Sequence, residues 1–303
     1  MSTFTNVALL GKGYLGSAIL TELVEAGFNV TLLSRSESAK EGLPGSVKFT
    51  IVDYTSLDAL VAALRGQDVV VSTVSGGGLL AQTTAIDASI KAGVKRYIPS
   101  YWGSFTIDPK ARNDLADLHG PIFDAQKYVT EKARAGEIEY TMFSVGSFTD
   151  YFTERPFAAF DFDDKSVELF DGGKHSFSST SIAGIGKAVV GALRNAEATK
   201  NRHLKVHEVV LSQAQLLALA KKYSPAGTQW KETNLDGKAE FDKALKAVLE
   251  DPSDKYKIIK VMLTGLMGGR YKTVYDEVDN ELVGLPFVTE EDIESKLASA
   301  LRS

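Results

Sequence analysis

Gly11, Gly13 and Gly16 stand at the spacing G-x-G-x-x-G, directly after the apolar run Val7-Ala8-Leu9-Leu10. Each glycine has a separate task if the segment is a strand, a tight turn and a helix. Gly11 permits the turn, Gly13 lets the backbone approach a pyrophosphate, and Gly16 lets the helix lie close to the sheet. The free amides at the helix start, around Lys12, Tyr14 and Leu15, would then face the phosphates. The spacing alone recurs by chance. Here it has a strand pattern before it, a helical pattern after it and a second apolar run at Asn29–Leu33. That context makes a dinucleotide the expected ligand.

The end of the second run selects among dinucleotides. An acidic residue there would accept the ribose hydroxyls of NAD. This chain has Leu33-Ser34-Arg35-Ser36 instead. The planar fork of Arg35 suits a 2′-phosphate and can also stack on adenine. Ser34, Ser36 and Lys40 can add hydrogen bonds or charge. The expected cofactor is NADP(H), with a solvated surface arginine as the competing reading.

Other chemistry is narrowed by what the chain lacks. There is no cysteine, so thiolate nucleophiles, disulfides and cysteine-ligated zinc are excluded. The four histidines are His119, His175, His203 and His207. His203 and His207 lie in a segment that alternates like a strand and has no third ligand nearby. We read them as a solvated strand face and expect no metal. Lysine and arginine number 34 against 39 acidic residues, a net charge of −5. No cationic surplus is available for nucleic acid. No apolar stretch is long enough to span a membrane. The first residues carry no basic leader pattern, and a cytoplasmic location is expected.

The elements that must position these residues follow from periodicity. Apolar runs near Asn6, Asn29, Val47, Asp68, Arg96 and Tyr140 alternate with helical patterns, among them Tyr14–Ala26, Leu57–Leu64 and Pro121–Ala135. Strands apolar on both faces, separated by helices, predict an α/β fold with a doubly wound parallel Rossmann sheet. After about Phe148 the rhythm breaks. Turn-like Phe170-Asp171-Gly172-Gly173-Lys174, an amphipathic Ser181–Leu193 and a strand at Val206–Leu211 precede four further helices. The expected organisation is a dinucleotide-binding domain over residues 1–150. A smaller, mostly helical C-terminal substrate domain over 151–303 would pack partly back on it.

The stretch from Gln82 to Ser100, with Ala88-Ser89-Ile90-Lys91-Ala92-Gly93-Val94-Lys95-Arg96-Tyr97-Ile98-Pro99 at its centre, resembles the isoflavone reductase-like, or NmrA-like, family of atypical short-chain dehydrogenases. Tyr14-Leu15-Gly16, Arg35-Ser36, Glu139-Tyr140-Thr141 and Gly146-Ser147-Phe148 resemble it too. The likeness covers residues 4 to about 155 and fades over the last 80. It implies an NADPH-dependent reductase in which a lysine, here Lys127, contacts the cofactor or transfers protons. Asp53, Ser75, Ser100 and Phe148 join the expected cofactor contacts. Ordinary short-chain dehydrogenases carry Tyr-x-x-x-Lys on one helical face, but Phe123 stands in the tyrosine position here. A lysine partly desolvated beside a pocket could still move protons near neutrality. The family's Pro-Ser-Glu-Phe-Gly appears as Pro99-Ser100-Tyr101-Trp102-Gly103, which leaves the substrate open.

A ligand should lie beyond the carboxyl ends of the strands. Tyr101, Trp102, Phe105, Tyr151 and Phe152 emerge there and could form a slot for a planar ring. The leading expectation is reduction of a small aromatic or phenylpropanoid-like carbonyl, enone or quinone methide. The alternative is a non-catalytic NADP(H)-sensing regulator, favoured by the missing tyrosine.

Overall fold

In the computed structural model, residues 4–103, 107–153 and 160–302 are described. Val7, Ala8, Leu9 and Leu10 are all fully buried, so strand β1 (Asn6–Leu10) is covered on both faces. Only the centre of a two-sided sheet satisfies that pattern. β1 pairs in parallel with β2 (Asn29–Ser34) and β4 (Val69–Ser72). β3 (Lys48–Ile51) flanks β2, while β5 (Arg96–Ile98) and β6 (Glu139–Ser144) extend the sheet beyond β4.

Pleating divides the side chains of each strand between two layers. Val7 and Leu9 pack with Ile19 and Leu23 of α1 (Tyr14–Glu25) and with Ile185 and Val189 of the Ile182–Arg194 helix. Ala8 and Leu10 pack on the other face with Leu60 and Leu64 of α2 (Leu57–Leu64) and with Ala85 and Ile86 of α3 (Gln82–Ala92). Strand order runs outward from β1 through β2 and β3 on one side, and through β4, β5 and β6 on the other. The crevice where this order reverses is where such sheets bind ligands.

Two segments beyond residue 150 belong to this layered unit. Arg202–Lys205 adds a seventh parallel strand beside β6, with Leu204 fully buried. The Ile182–Arg194 helix packs along α1. The strand expected at Val206–Leu211 begins at Val209, and the strand-like alternation around His203 forms a separate strand. Arg202–Lys205 joins the main sheet, and Val209–Ser212 pairs antiparallel with Ser176–Thr180. A helix at Pro109–Asp114, capped by the Asp108 side chain, was not foreseen.

A third core holds the C-terminal part together. It gathers Phe170, Phe177, Leu216, Phe241, Val261 and Met267 from two small sheets and the later helices. Arg96 ties the parts together. Its fully buried guanidinium lies 2.7 Å from Glu139, donates to Thr199 at 3.1 Å and sits over the Phe4 ring. A charge at that depth is tolerable because every direction offers a partner.

Candidate cofactor groove and active site

Gly11 leaves β1 at φ +95°, in the left-handed region that favours glycine, and its amide donates to Leu33 O at 3.0 Å. A Cβ on Gly16 would stand 2.5 Å from Gly11 O and 2.6 Å from Thr73 Oγ1, so α1 and the turn touch backbone to backbone. Gly13 has nothing within 4 Å of its Cβ position. It caps α1 without a side chain, leaving the first-turn amides to an incoming anion. Thr73 braces the turn by donating to Leu10 O at 3.1 Å and Gly11 O at 3.0 Å. The geometry fits a pyrophosphate: a tight turn, an open approach and unclaimed amides.

A groove of 390 Å³ runs from this turn across the end of β2. Gly11, Lys12, Gly13, Ser34, Arg35, Ser36 and Ser75, all expected cofactor contacts, line it. So do Thr73, Val74 and Tyr54, which the motif had not singled out. The Arg35 guanidinium lies 5.7 Å from the centre of the Tyr54 ring. Tyr54 donates to Leu33 O at 2.7 Å, and burial pushes its phenol up to about 12. The ring therefore stays a neutral platform that orients the arginine fork.

Neighbouring residues fall differently from expectation. Asp53 does not line the groove and accepts from Thr55 N at 2.9 Å and Thr55 Oγ1 at 2.8 Å. Those bonds, and then Arg35, hold its carboxyl below the usual range. Lys40 is exposed and 3.9 Å from Glu37, and does not line the groove. Lys12 instead ties the glycine turn to the 39–41 segment through Ala39 O and Glu41 O. Leu15 and Gly16 are buried against the strand, and Tyr14 stacks on Tyr151, which stacks on Phe148. None of these five lines the groove.

Val74 and Ser75 also border a second pocket of 260 Å³. Its wall includes Ser100, Tyr101, Trp102, His119 and Ile122, with Met262 contributed by the Lys255–Met267 helix. Apolar surface dominates the wall. Trp102 stacks on Phe143 and donates to Ser72 O at 3.1 Å. Ser100 donates from its hydroxyl to Val74 O at 2.8 Å and from its amide to Gln82 at 2.7 Å. Tyr101 accepts from Arg112 at 3.3 Å and meets the His203 ring edge-on.

Two expected residues lie elsewhere. Lys127 is 76% exposed and 4.0 Å from Glu131, not partly desolvated beside the pocket. It sits on the Ala116–Arg134 helix, which presents His119 and Ile122 to the cavity. One helical residue is a rotation of about 100°, so Gln126 continues that face and Lys127 turns off it. Phe152 is only 4% exposed and packs on Phe177 in the C-terminal core. Phe105 lies outside the described residues.

The histidines differ from the solvated face expected of them. His203 shares a 2.8 Å hydrogen bond with Ser144, and His207 shares one of the same length with Ser178. Burial, then Arg112 and Lys205, brings His203 down to about 4.

A family model described as NAD(P)H-binding matches residues 11–196. The chain is 31% identical over 295 residues to the oxidoreductase aprR of Aspergillus flavus, covering 96% of each chain. It is 31% identical over 175 residues to the phenylcoumaran benzylic ether reductase Pyrc5 of Pyrus communis, covering 54% of this chain and 56% of that one. In fold it is similar to an NADPH-dependent quinone oxidoreductase of Escherichia coli solved with NADPH. That likeness has a TM-score of 0.74 at 20% identity, covering 98% of this chain and 100% of the other. An isoflavone reductase structure gives 0.72 at 20% identity, covering 97% and 99%. The chain belongs to the NAD(P)H-binding family, among its isoflavone reductase-like oxidoreductases.

Proposed function

We propose that the protein is an NADPH-dependent reductase of a small aromatic carbonyl, enone or quinone methide compound. One observation carries the reading: the groove holding Arg35 over Tyr54 shares Val74 and Ser75 with the pocket walled by Trp102. A dinucleotide laid along the first would bring its reactive end to the second. The bound nicotinamide supplies the hydride. The chain supplies the phosphate turn, the Arg35 fork for a 2′-phosphate, and an apolar pocket that holds a ring and limits water. A phenylcoumaran reductase among the relatives supports an aromatic substrate.

Lys127, at 76% exposure, is not given the proton-transfer role. That displacement, with Phe123 where a tyrosine was looked for, favours a second reading as an NADP(H)-sensing regulator. NADPH oxidation across a panel of aromatic ketones, enones and quinones separates the two. Turnover of any class supports the reductase. Equal affinity for NADPH and NADP⁺ with no turnover of any compound establishes the sensor.

A further inference from the structure

The pocket beside Trp102 contains one polar group that neither the motif nor the resemblance had singled out. His119 lines the cavity but not the dinucleotide groove. Its backbone amide donates to Leu115 O at 2.8 Å, and Phe123 meets its ring edge-on at 6.1 Å. Gly120 and Pro121 follow directly, and a proline inside a helix removes one ladder bond and bends the axis. His119 thus stands two residues before that proline, at the pocket wall.

The other polar atoms of this wall are largely committed. The Ser100 hydroxyl and amide, the Tyr101 hydroxyl and the Trp102 indole each have a protein partner. Ser75 is exposed and shared with the groove, which places it on the cofactor side. The His119 ring nitrogens have no hydrogen-bond partner among the described residues. A half-buried imidazole lining an apolar cavity keeps its ring nitrogens free for a polar ligand that enters it.

We propose that His119 is a substrate-contacting group that donates a ring N–H to the oxygen of an aromatic carbonyl in this pocket. The inference rests on the aromatic-reductase reading above and names the residue that orients the substrate. Burial pulls the imidazole down to about 4, so the ring is neutral throughout the physiological range. A neutral imidazole offers one N–H and one lone pair. It can stabilise negative charge developing on a carbonyl oxygen without surrendering its own proton. The balance is complete: NADPH gives a hydride to the carbonyl carbon and becomes NADP⁺, and one proton from the buffered solvent converts the oxygen to a hydroxyl, so ketone, NADPH and H⁺ give alcohol and NADP⁺.

The recognition element is the oxygen, so the test compares acetophenone with cumene, which has the same outline and no carbonyl. Both are titrated against NADP⁺-loaded wild type, His119→Phe and His119→Gln. Each variant should keep the wild-type NADPH affinity, because His119 is not part of the groove. Wild type should favour acetophenone over cumene about five-fold more than His119→Phe does, the weight of one net hydrogen bond. His119→Gln, which retains an N–H donor, should recover at least half of that preference. With NADPH, kcat/KM for acetophenone-type ketones should fall at least ten-fold in His119→Phe. An unchanged ketone preference in His119→Phe overturns the inference while leaving the aromatic-reductase reading intact. Failure of wild type to bind either compound overturns both.

Discussion

At the scale of single residues, the proposed NADPH preference rests on Arg35, held over Tyr54 at the end of β2. Charge-assisted hydrogen bonds contribute about 1.5–3 kcal/mol each, which corresponds to ten- to a hundred-fold in affinity. Arg35→Ala should weaken NADPH by about that factor and NADH by less than about three-fold. Fluorescence titration of both cofactors measures it, and equal losses would remove the 2′-phosphate from the argument. Lys127 leads to the opposite expectation. Its ammonium is 76% exposed and its contact with Glu131 is 4.0 Å, a pair of the kind that contributes about 0.3–0.5 kcal/mol. Lys127→Ala should leave kcat/KM and the melting temperature near wild type, and a large loss of turnover would return the lysine to the chemistry. Arg35 was legible in the sequence because the end of β2 has a fixed place relative to the glycine turn. Lys127 stands differently: the resemblance names a position on the helix, while a single step around that helix decides which side chain faces the pocket.

At the scale of elements, the strand, turn and helix unit separates packing from ligand approach at two neighbouring glycines. A methyl on Gly16 would meet the Gly11 carbonyl at 2.5 Å and Thr73 Oγ1 at 2.6 Å. The first of these is backbone and cannot swing aside. Gly16→Ala should push α1 off β1, destabilise the fold by about 1–3 kcal/mol and abolish tight cofactor binding. A methyl on Gly13 meets nothing within 4 Å, and φ there is −84°. Gly13→Ala should therefore melt within about 0.5 kcal/mol of wild type, yet bind NADPH at least ten-fold more weakly, because the methyl occupies the phosphate approach. Calorimetry beside titration tells the two apart, and similar stability losses in both would contradict the geometry. This unit was readable because strand, turn and helix are local. Thr73 and Tyr54, which complete it, arrive from β4 and from beyond β3, and no spacing in the chain announces them. The Arg202–Lys205 strand could be read from its alternation, but its place in the main sheet escaped for the same reason. It has one fully buried side chain, Leu204, and becomes a strand through pairing with β6 some sixty residues earlier.

At the scale of the whole molecule, the C-terminal half clasps the Rossmann sheet, and half-buried histidines lie along that junction. His203 stands on the seventh strand against Ser144, and His119 on the pocket-side helix. Burial lowers both from 6.5 to about 4. Between those two values the unfolded chain takes up protons that the folded chain refuses, so folding stability declines as pH falls from 6.5 toward 4. At pH 5 the linkage amounts to about 2 kcal/mol for each histidine. Glu139, held below its ordinary 4.5 despite burial by Lys200 and Arg96, adds acid sensitivity only at lower pH, since its unfolded form must first protonate. The loss between pH 6.5 and 5 therefore belongs to the histidines. The melting temperature should drop across that interval in wild type and drop less in His203→Gln, which can keep a hydrogen bond to Ser144 and has no charge to gain. Parallel curves for the two proteins would show that protonation at this junction does not govern the stability of the clasp.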